Sequence, residues 1–278
     1  MWSLRGSQAG STLEVTRIFG TTAATTAKKV AEFVPASYAG SVNVARSYRG
    51  TNADGGNGEF NDTTGEASTT PSPGSLKTAI LATQASFQDA ESASVMAYYE
   101  HFPVLLTTPS VLSSQAAAAI SKLGIEQVIV MGGQIAISNG VLSNLEGLGV
   151  SVLRIAGQDA TDTAVQLADF EVSSDGLDWG ALGVPAIAVA RGDLYSDGLA
   201  GAAVAAGEGS SNRHEPEPLL LTENPTVVGA YLGPFLEKAG TSSGIAGDGQ
   251  RVSALTVLGG PLAITTGTVD TMEDELGL

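Results

Sequence analysis

The sequence predicts an α/β protein made of two tandem units, each a short parallel sheet flanked by helices. Three observations predict it. Short apolar runs alternate with helical stretches, the helical stretches carry start and stop residues, and one set of landmarks is written twice in the same order.

The strands are the clearest elements. "TAILAT" (78–83), "PVLLTT" (103–108) and "QVIVMGG" (127–133) are rich in Leu and β-branched residues and end in Thr or Gly, as strands buried on both faces do. Each leads into a helical stretch: 89–100, 113–124 and 138–149. Ser113 or Ser114 is placed to cap the second of these and Gly124 to end it, while Ser138 and Asn139 open the third. Strand followed by helix, repeated, gives parallel strands joined by right-handed crossovers.

The duplication sets the domain boundaries. "RIFGTTAATTA" at 17–27 returns as "RIAGQDATDTA" at 154–164, and Phe87-Gln-Asp89 returns as Tyr195-Ser-Asp197. "PVLLT" at 103–107 returns as "PLLLT" at 218–222, and "VIVMGGQIAIS" at 128–138 as "LTVLGGPLAIT" at 255–265. The expected organisation is an extension at 1–16, a first unit at 17–153 and a second at 154–278. Residues 49–75, rich in Gly, Thr, Asn and Pro, form an inserted loop in the first unit.

Bulk composition excludes several functions. Hydrophobic residues make up 43% and charged residues 15% of the 278, so the chain can bury a core. The net charge of −16 repels nucleic acid and anionic membranes. No apolar run approaches the roughly 20 residues of a membrane span. The opening residues lack the apolar segment of about 7–15 residues of an export leader, so the chain is expected either not to be exported alone or to be in its mature form. Without Cys there is no disulfide, thiolate metal site or Cys nucleophile. His101 and His214 stand alone, without a second ligand at zinc spacing or a Ser-His-Asp order, so neither a metal nor a catalytic site is expected. The oxygen-rich loop Asp54–Asp62 misses the EF-hand pattern at Gly56 and reads as a plain loop. No cofactor is expected.

The candidate site residues are the duplicated ones. Gly132/Gly133 and Gly259/Gly260 stand where a strand passes into a helix, a place where backbone N–H groups can hold an anion or where glycine turns the chain; no phosphate-loop pattern accompanies them, which favours the turn. Asp89 and Asp197 open helices, as caps or as ligand contacts. Arg17 and Arg154 lie at strand entries, as internal anchors or as polymer contacts.

Taken together, Arg-Ile-x-Gly closed by Thr-Ala, aromatic-x-Asp, Pro-x-Leu-Leu-Thr and the Gly pair resemble the type 2 cell-wall-binding repeat over nearly all of residues 17–278. That resemblance implies Rossmann-like, non-catalytic modules, commonly three to a protein and arranged as a ring, which attach a protein at the cell surface to an anionic wall polymer. It implies polymer contact by Arg17, Arg154, Asp89, Asp197 and the four glycines. Where the family writes Asp-Arg-Tyr, this chain has Thr22, Ala23 and Ala24, and again Asp159, Ala160 and Thr161, so that arginine is missing twice. With two modules rather than three, some surface is expected to be shielded by another chain, which includes other copies of this one, by the 49–75 insertion or by residues 1–16. The alternative expectation is a structural component of a virion or surface layer that reuses the module for assembly.

Overall fold

The computed structural model describes residues 7–8, 11–12, 17–33, 41–42, 59–60, 76–173, 176–177, 179–182, 186–207, 216–241, 244–245 and 251–278. His214 and most of the 49–75 insertion, with all of Asp54–Asp62 except Glu59–Phe60, lie outside these residues.

The first elements are small: β1 (Ser7–Gln8) pairs antiparallel with β2 (Ser11–Thr12), then come α1 (Ala23–Phe33), β3 (Ser41–Val42) and β4 (Glu59–Phe60). The first alternating set is β5 (Leu76–Thr83), α2 (Gln88–Ser92), α3 (Ser94–Tyr99), β6 (Val104–Thr107), α4 (Ser114–Leu123), β7 (Gln127–Met131), α5 (Asn139–Gly147) and β8 (Ser151–Ile155). The second is α6 (Ala160–Val172), a 3-10 turn at Trp179–Leu182, β9 (Ala186–Arg191), α7 (Ser196–Gly207), β10 (Leu219–Thr222), α8 (Leu232–Ala239), β11 (Ala254–Val257) and α9 (Thr266–Leu276).

The caps explain where helices begin and end. Ser113 Oγ accepts from Ala116 N–H at 3.2 Å, and Gly124 closes α4 at φ 64°. Thr265 caps α9 in the same way, accepting from Thr268 N–H at 3.3 Å. The stretch expected as one helix over 89–100 is two. Ser92 Oγ donates to Gln88 O at 3.1 Å and Ser94 Oγ donates to Glu91 O, so hydroxyls take up helix carbonyls near the break at Ala93.

Both sheets are parallel in their main strands. The first runs β6-β5-β7-β8-β4, with β3 antiparallel at the start of β5; the second runs β10-β9-β11. The orders β6-β5-β7 and β10-β9-β11 are the same, and so are the bonds at corresponding positions. Ile80 N–H donates to Pro103 O and Ala188 N–H to Pro218 O, both at 3.0 Å; Gln84 N–H donates to Thr107 O and Gly192 N–H to Thr222 O, both at 2.8 Å.

Strand β8 crosses the boundary expected between 153 and 154. It pairs with β7 from Gln127↔Ser151 to Met131↔Ile155, while α6, which it leads into, packs on β10 of the second sheet. The second unit therefore lends a strand to the first sheet. Side chains of the first sheet alternate between two cores, as a pleated strand covered on both faces requires. Ala79, Leu81, Val128 and Val130 join residues of α1, α4 and α5. Ile80, Ala82, Ile129 and Met131 join α3, α6, the second sheet, α8 and α9 in a cluster common to both units. Helix α3 packs on α7 across this junction.

Candidate functional site

The carboxyl ends of β5, β7 and β8 open onto a cleft of about 460 Å³. Parallel α/β sheets bind ligands at this end, because the strand-to-helix loops there present backbone N–H groups and helix starts. The lining comes from three loops: Thr83 to Asp89, Gly132 to Ala136, and Gly157 to Thr163, with Pro109 beside them.

The Gly pair forms a hairpin held the same way in both copies. Ile137 N–H donates to Gly133 O at 2.9 Å and Ser138 N–H to Pro109 O at 2.7 Å; Ile264 N–H donates to Gly260 O at 3.1 Å and Thr265 N–H to Pro225 O at 2.8 Å. Gly132 has φ 92° and Gly259 φ 111°. A Cβ on Gly132 would also run into Asp89 Oδ2, and one on Gly259 would lie 2.9 Å from Asp197 Oδ2. Each first glycine thus combines a turn with close approach to a carboxylate. This brings Asp89 together with Gly132 and Gly133, and Asp197 with Gly259.

Asp89 is not a cap. The residue before α2 is Phe87, which makes no capping bond, and Asp89 lies in the first turn, 6% exposed, lining the cleft with a carboxylate that makes no hydrogen bond among the described residues. Burial raises its carboxyl above the usual range. Asp197, in the first turn of α7, is half-buried. The rings of Phe87 and Tyr195 meet edge to face at 5.7 Å, joining the two aromatic-x-Asp motifs.

Arg154 does not line the cleft but holds its wall. It is 2% exposed and donates to Gly132 O at 2.6 Å and Ile137 O at 2.7 Å, bracing the Gly hairpin from behind. Arg17 is exposed, in coil before α1. The glycine of each Arg-Ile-x-Gly is fixed by a threonine six residues on: Gly20 N–H donates to Thr26 Oγ1 at 2.9 Å and Gly157 N–H to Thr163 Oγ1 at 3.1 Å. That is the physical content of the Thr-Ala that ends the motif.

Three features escape sequence reading. Asp159 caps α6, accepting from Asp162 N–H at 2.9 Å, and lines the cleft. Ile135 and Leu262, at the tips of the two Gly hairpins, are 96% and 93% exposed. Arg191, where the first copy has Thr83, pairs with Asp193 at 2.6 Å, an ion pair for which the first copy, with Ala85 at the second position, has no counterpart. Among the described residues that line it, the first cleft has no Lys or Arg.

A buried carboxylate lies where the units meet. Glu91 is 3% exposed, both its oxygens lack hydrogen-bond partners, and a Cβ on Gly198 of α7 would run into it. Burial, with the charge of Asp197 adding, pushes its carboxyl up to about 7 from 4.5. A raised carboxyl stabilises the fold fully below its unfolded value and loses that contribution as pH rises through the folded value, so Glu91 favours folding at acid pH. Between about pH 5 and about pH 8 the wild type is expected to lose on the order of 2 kcal/mol more stability than Glu91→Gln, measured by urea unfolding at each pH. Parallel pH profiles for the two proteins would contradict this.

Comparison with known proteins finds relatives of the sequence and of the fold. The model of cell wall binding domain 2 matches residues 17–142 and again 154–269. The N-acetylmuramoyl-L-alanine amidase LytC of Bacillus subtilis is 29% identical over 177 residues, which is 63% of this chain and 32% of LytC. Among solved structures, Cwp6 from Clostridium difficile superposes with a TM-score of 0.60 at 16% identity, covering 98% of this chain and 34% of Cwp6. Cwp8 from the same organism superposes with a TM-score of 0.52 at 20% identity, covering 72% of this chain and 29% of Cwp8. The chain thus spans about a third of the length of each relative, and the structural matches establish the tandem α/β fold. With two matches that together take in most of its length, the chain belongs to the cell wall binding domain 2 family.

Proposed function

We propose that this chain is a non-catalytic attachment module that holds a protein on the cell surface by binding a wall polymer in the cleft between Asp89, the Gly132 hairpin and the Asp159 loop. The observation that carries the reading is the cleft itself, with an unpartnered, buried carboxylate beside a glycine hairpin at the carboxyl ends of parallel strands. Its family supplies the polymer. The lining supplies hydroxyl recognition: Asp89 accepts from sugar hydroxyls, and exposed Ile135 meets the apolar face of a ring. Because the described residues of the lining include no cation, an anionic polymer contacts this cleft through its sugars rather than its charged groups. Arg154 shapes the site from behind, bracing the Gly132 turn through its carbonyl. No feature of the fold favours a role as a virion component.

Co-sedimentation with purified cell-wall sacculi tests the reading. The wild type is expected to pellet, and to stay in solution once the secondary polymer has been extracted. Ile135→Ser, at an exposed tip, and Asp89→Asn, which keeps the shape, are each expected to weaken pelleting by about tenfold or more. Failure of the wild type to pellet across salt concentrations would overturn attachment; pelleting of both variants like wild type would overturn the site.

A further inference from the structure

The second sheet ends on an open edge. In the first sheet β7 is fully buried because β8 lies along it, whereas every residue of its counterpart β11 is half-exposed and β11 pairs only with β9 among the described residues. The bonds that β8 brings have no counterpart at β11. Gly132 N–H donates to Ile155 O at 2.8 Å, and Arg154 reaches the carbonyls of Gly132 and Ile137; among the described residues nothing serves Gly259 and Ile264 in this way. The central helices differ likewise. Glu91, Val95 and Met96 are 3%, 0% and 0% exposed against the second unit, while the matching positions on α7 are uncovered, with Leu199 at 62%, Val204 at 54% and Ala203 also exposed.

The chain also carries an unused copy of the missing strand. Arg17–Gly20 repeats Arg154–Gly157, whose first two residues end β8, precedes α1 as β8 precedes α6, and has the same Gly-to-Thr bond, yet it is coil with Arg17 and Phe19 exposed.

We propose that Arg17–Ile18 of a second copy of this chain adds in parallel at the carboxyl end of β11, as Arg154–Ile155 does along β7, and extends the second sheet. The register follows from the first sheet. Arg154 lies opposite Val130, so the incoming Arg17 lies opposite Val257. Its guanidinium donates to the carbonyls of Gly259 and Ile264, and Gly259 N–H donates to Ile18 O. The second site, with Gly259 and Gly260 exposed, is braced only when the neighbour supplies this arginine. The contact is head-to-tail, by strand addition, and the exposed face of α7 is covered with it. A second copy is favoured as occupant because the same contact, with the same motif, is already made within the chain.

Sedimentation velocity on the full chain across the micromolar to millimolar range tests this. The wild type is expected to self-associate. Arg17→Ala is expected to weaken association roughly a hundredfold by removing the buried guanidinium bonds. Val257→Pro blocks the other partner: Leu258 N–H bonds to Val189 O, so the Val257 N–H faces the open edge and its loss spares the pairing with β9. Circular dichroism should show both variants folded. Each alone is expected to be monomeric, and their mixture to form a one-to-one heterodimer through the intact Val257 edge of one and the intact Arg17 strand of the other. A monomeric wild type throughout the range, association unchanged by both variants, or a mixture that stays monomeric would overturn the proposal.

Discussion

Arg154→Ala is expected to cost about 3–5 kcal/mol of stability, because it removes a buried donor and leaves buried carbonyls without partners. The guanidinium is 2% exposed and spans the carbonyls of Gly132 and Ile137, so its loss releases both ends of the Gly hairpin and the strand β8 that carries it. Arg17→Ala, the same change in the same motif, is expected to stay within about 0.5 kcal/mol for the monomer, since Arg17 is exposed. Urea unfolding of the two variants side by side at dilute concentration checks this. Equal effects would mean that the motif arginine acts through something other than the neighbouring sheet.

The second large effect is at Gly132. Gly132→Ala is expected to destabilise by roughly 2–4 kcal/mol, from a left-handed backbone and a methyl group driven into a carboxylate. Its φ is 92°, and the new Cβ would meet Asp89 Oδ2 and lie 2.8 Å from Ala136 Cβ. Gly133→Ala is expected to change stability by less than about 0.5 kcal/mol, since the nearest atom to a new Cβ is Gly157 O at 4.0 Å. At Gly259 the same strain applies, but the hairpin is exposed and can yield, so a smaller loss is expected. Thermal melts of the three alanine variants give the order. A Gly133 variant as damaged as the Gly132 one would show that the pair as a whole, rather than its first member, is conformationally constrained.

The strands and their order were legible because parallel strands buried on both faces have to be written as short continuous apolar runs, and the duplication made each one readable twice. The helix ends at Ser113 and Gly124 were legible for the same local reason, capping being a property of a few adjacent residues. What was hidden is long-range. A strand's pattern says that it is buried, and nothing in it says which neighbour buries it, so β8 looked like the start of the second unit while pairing with the first sheet. The roles of the two motif arginines diverge for that reason: Arg154 has a sheet edge to enter, and Arg17 enters none among the described residues. Asp89 read first as a cap and second as a contact, since the approach of Gly132 that excludes it from solvent comes from a loop more than 40 residues away. Glu91 left no mark in sequence, as a carboxylate in a helix ordinarily faces water, and the junction between units that encloses it is a tertiary feature.

Hydrogen-deuterium exchange with and without solubilised wall polymer tests most directly whether the cleft is the attachment site. Slowed exchange concentrated in Gly132–Ala136 and Gly157–Thr163 is the result expected, and it should disappear in Ile135→Ser. Polymer binding that leaves both loops unchanged while protecting another surface would contradict it.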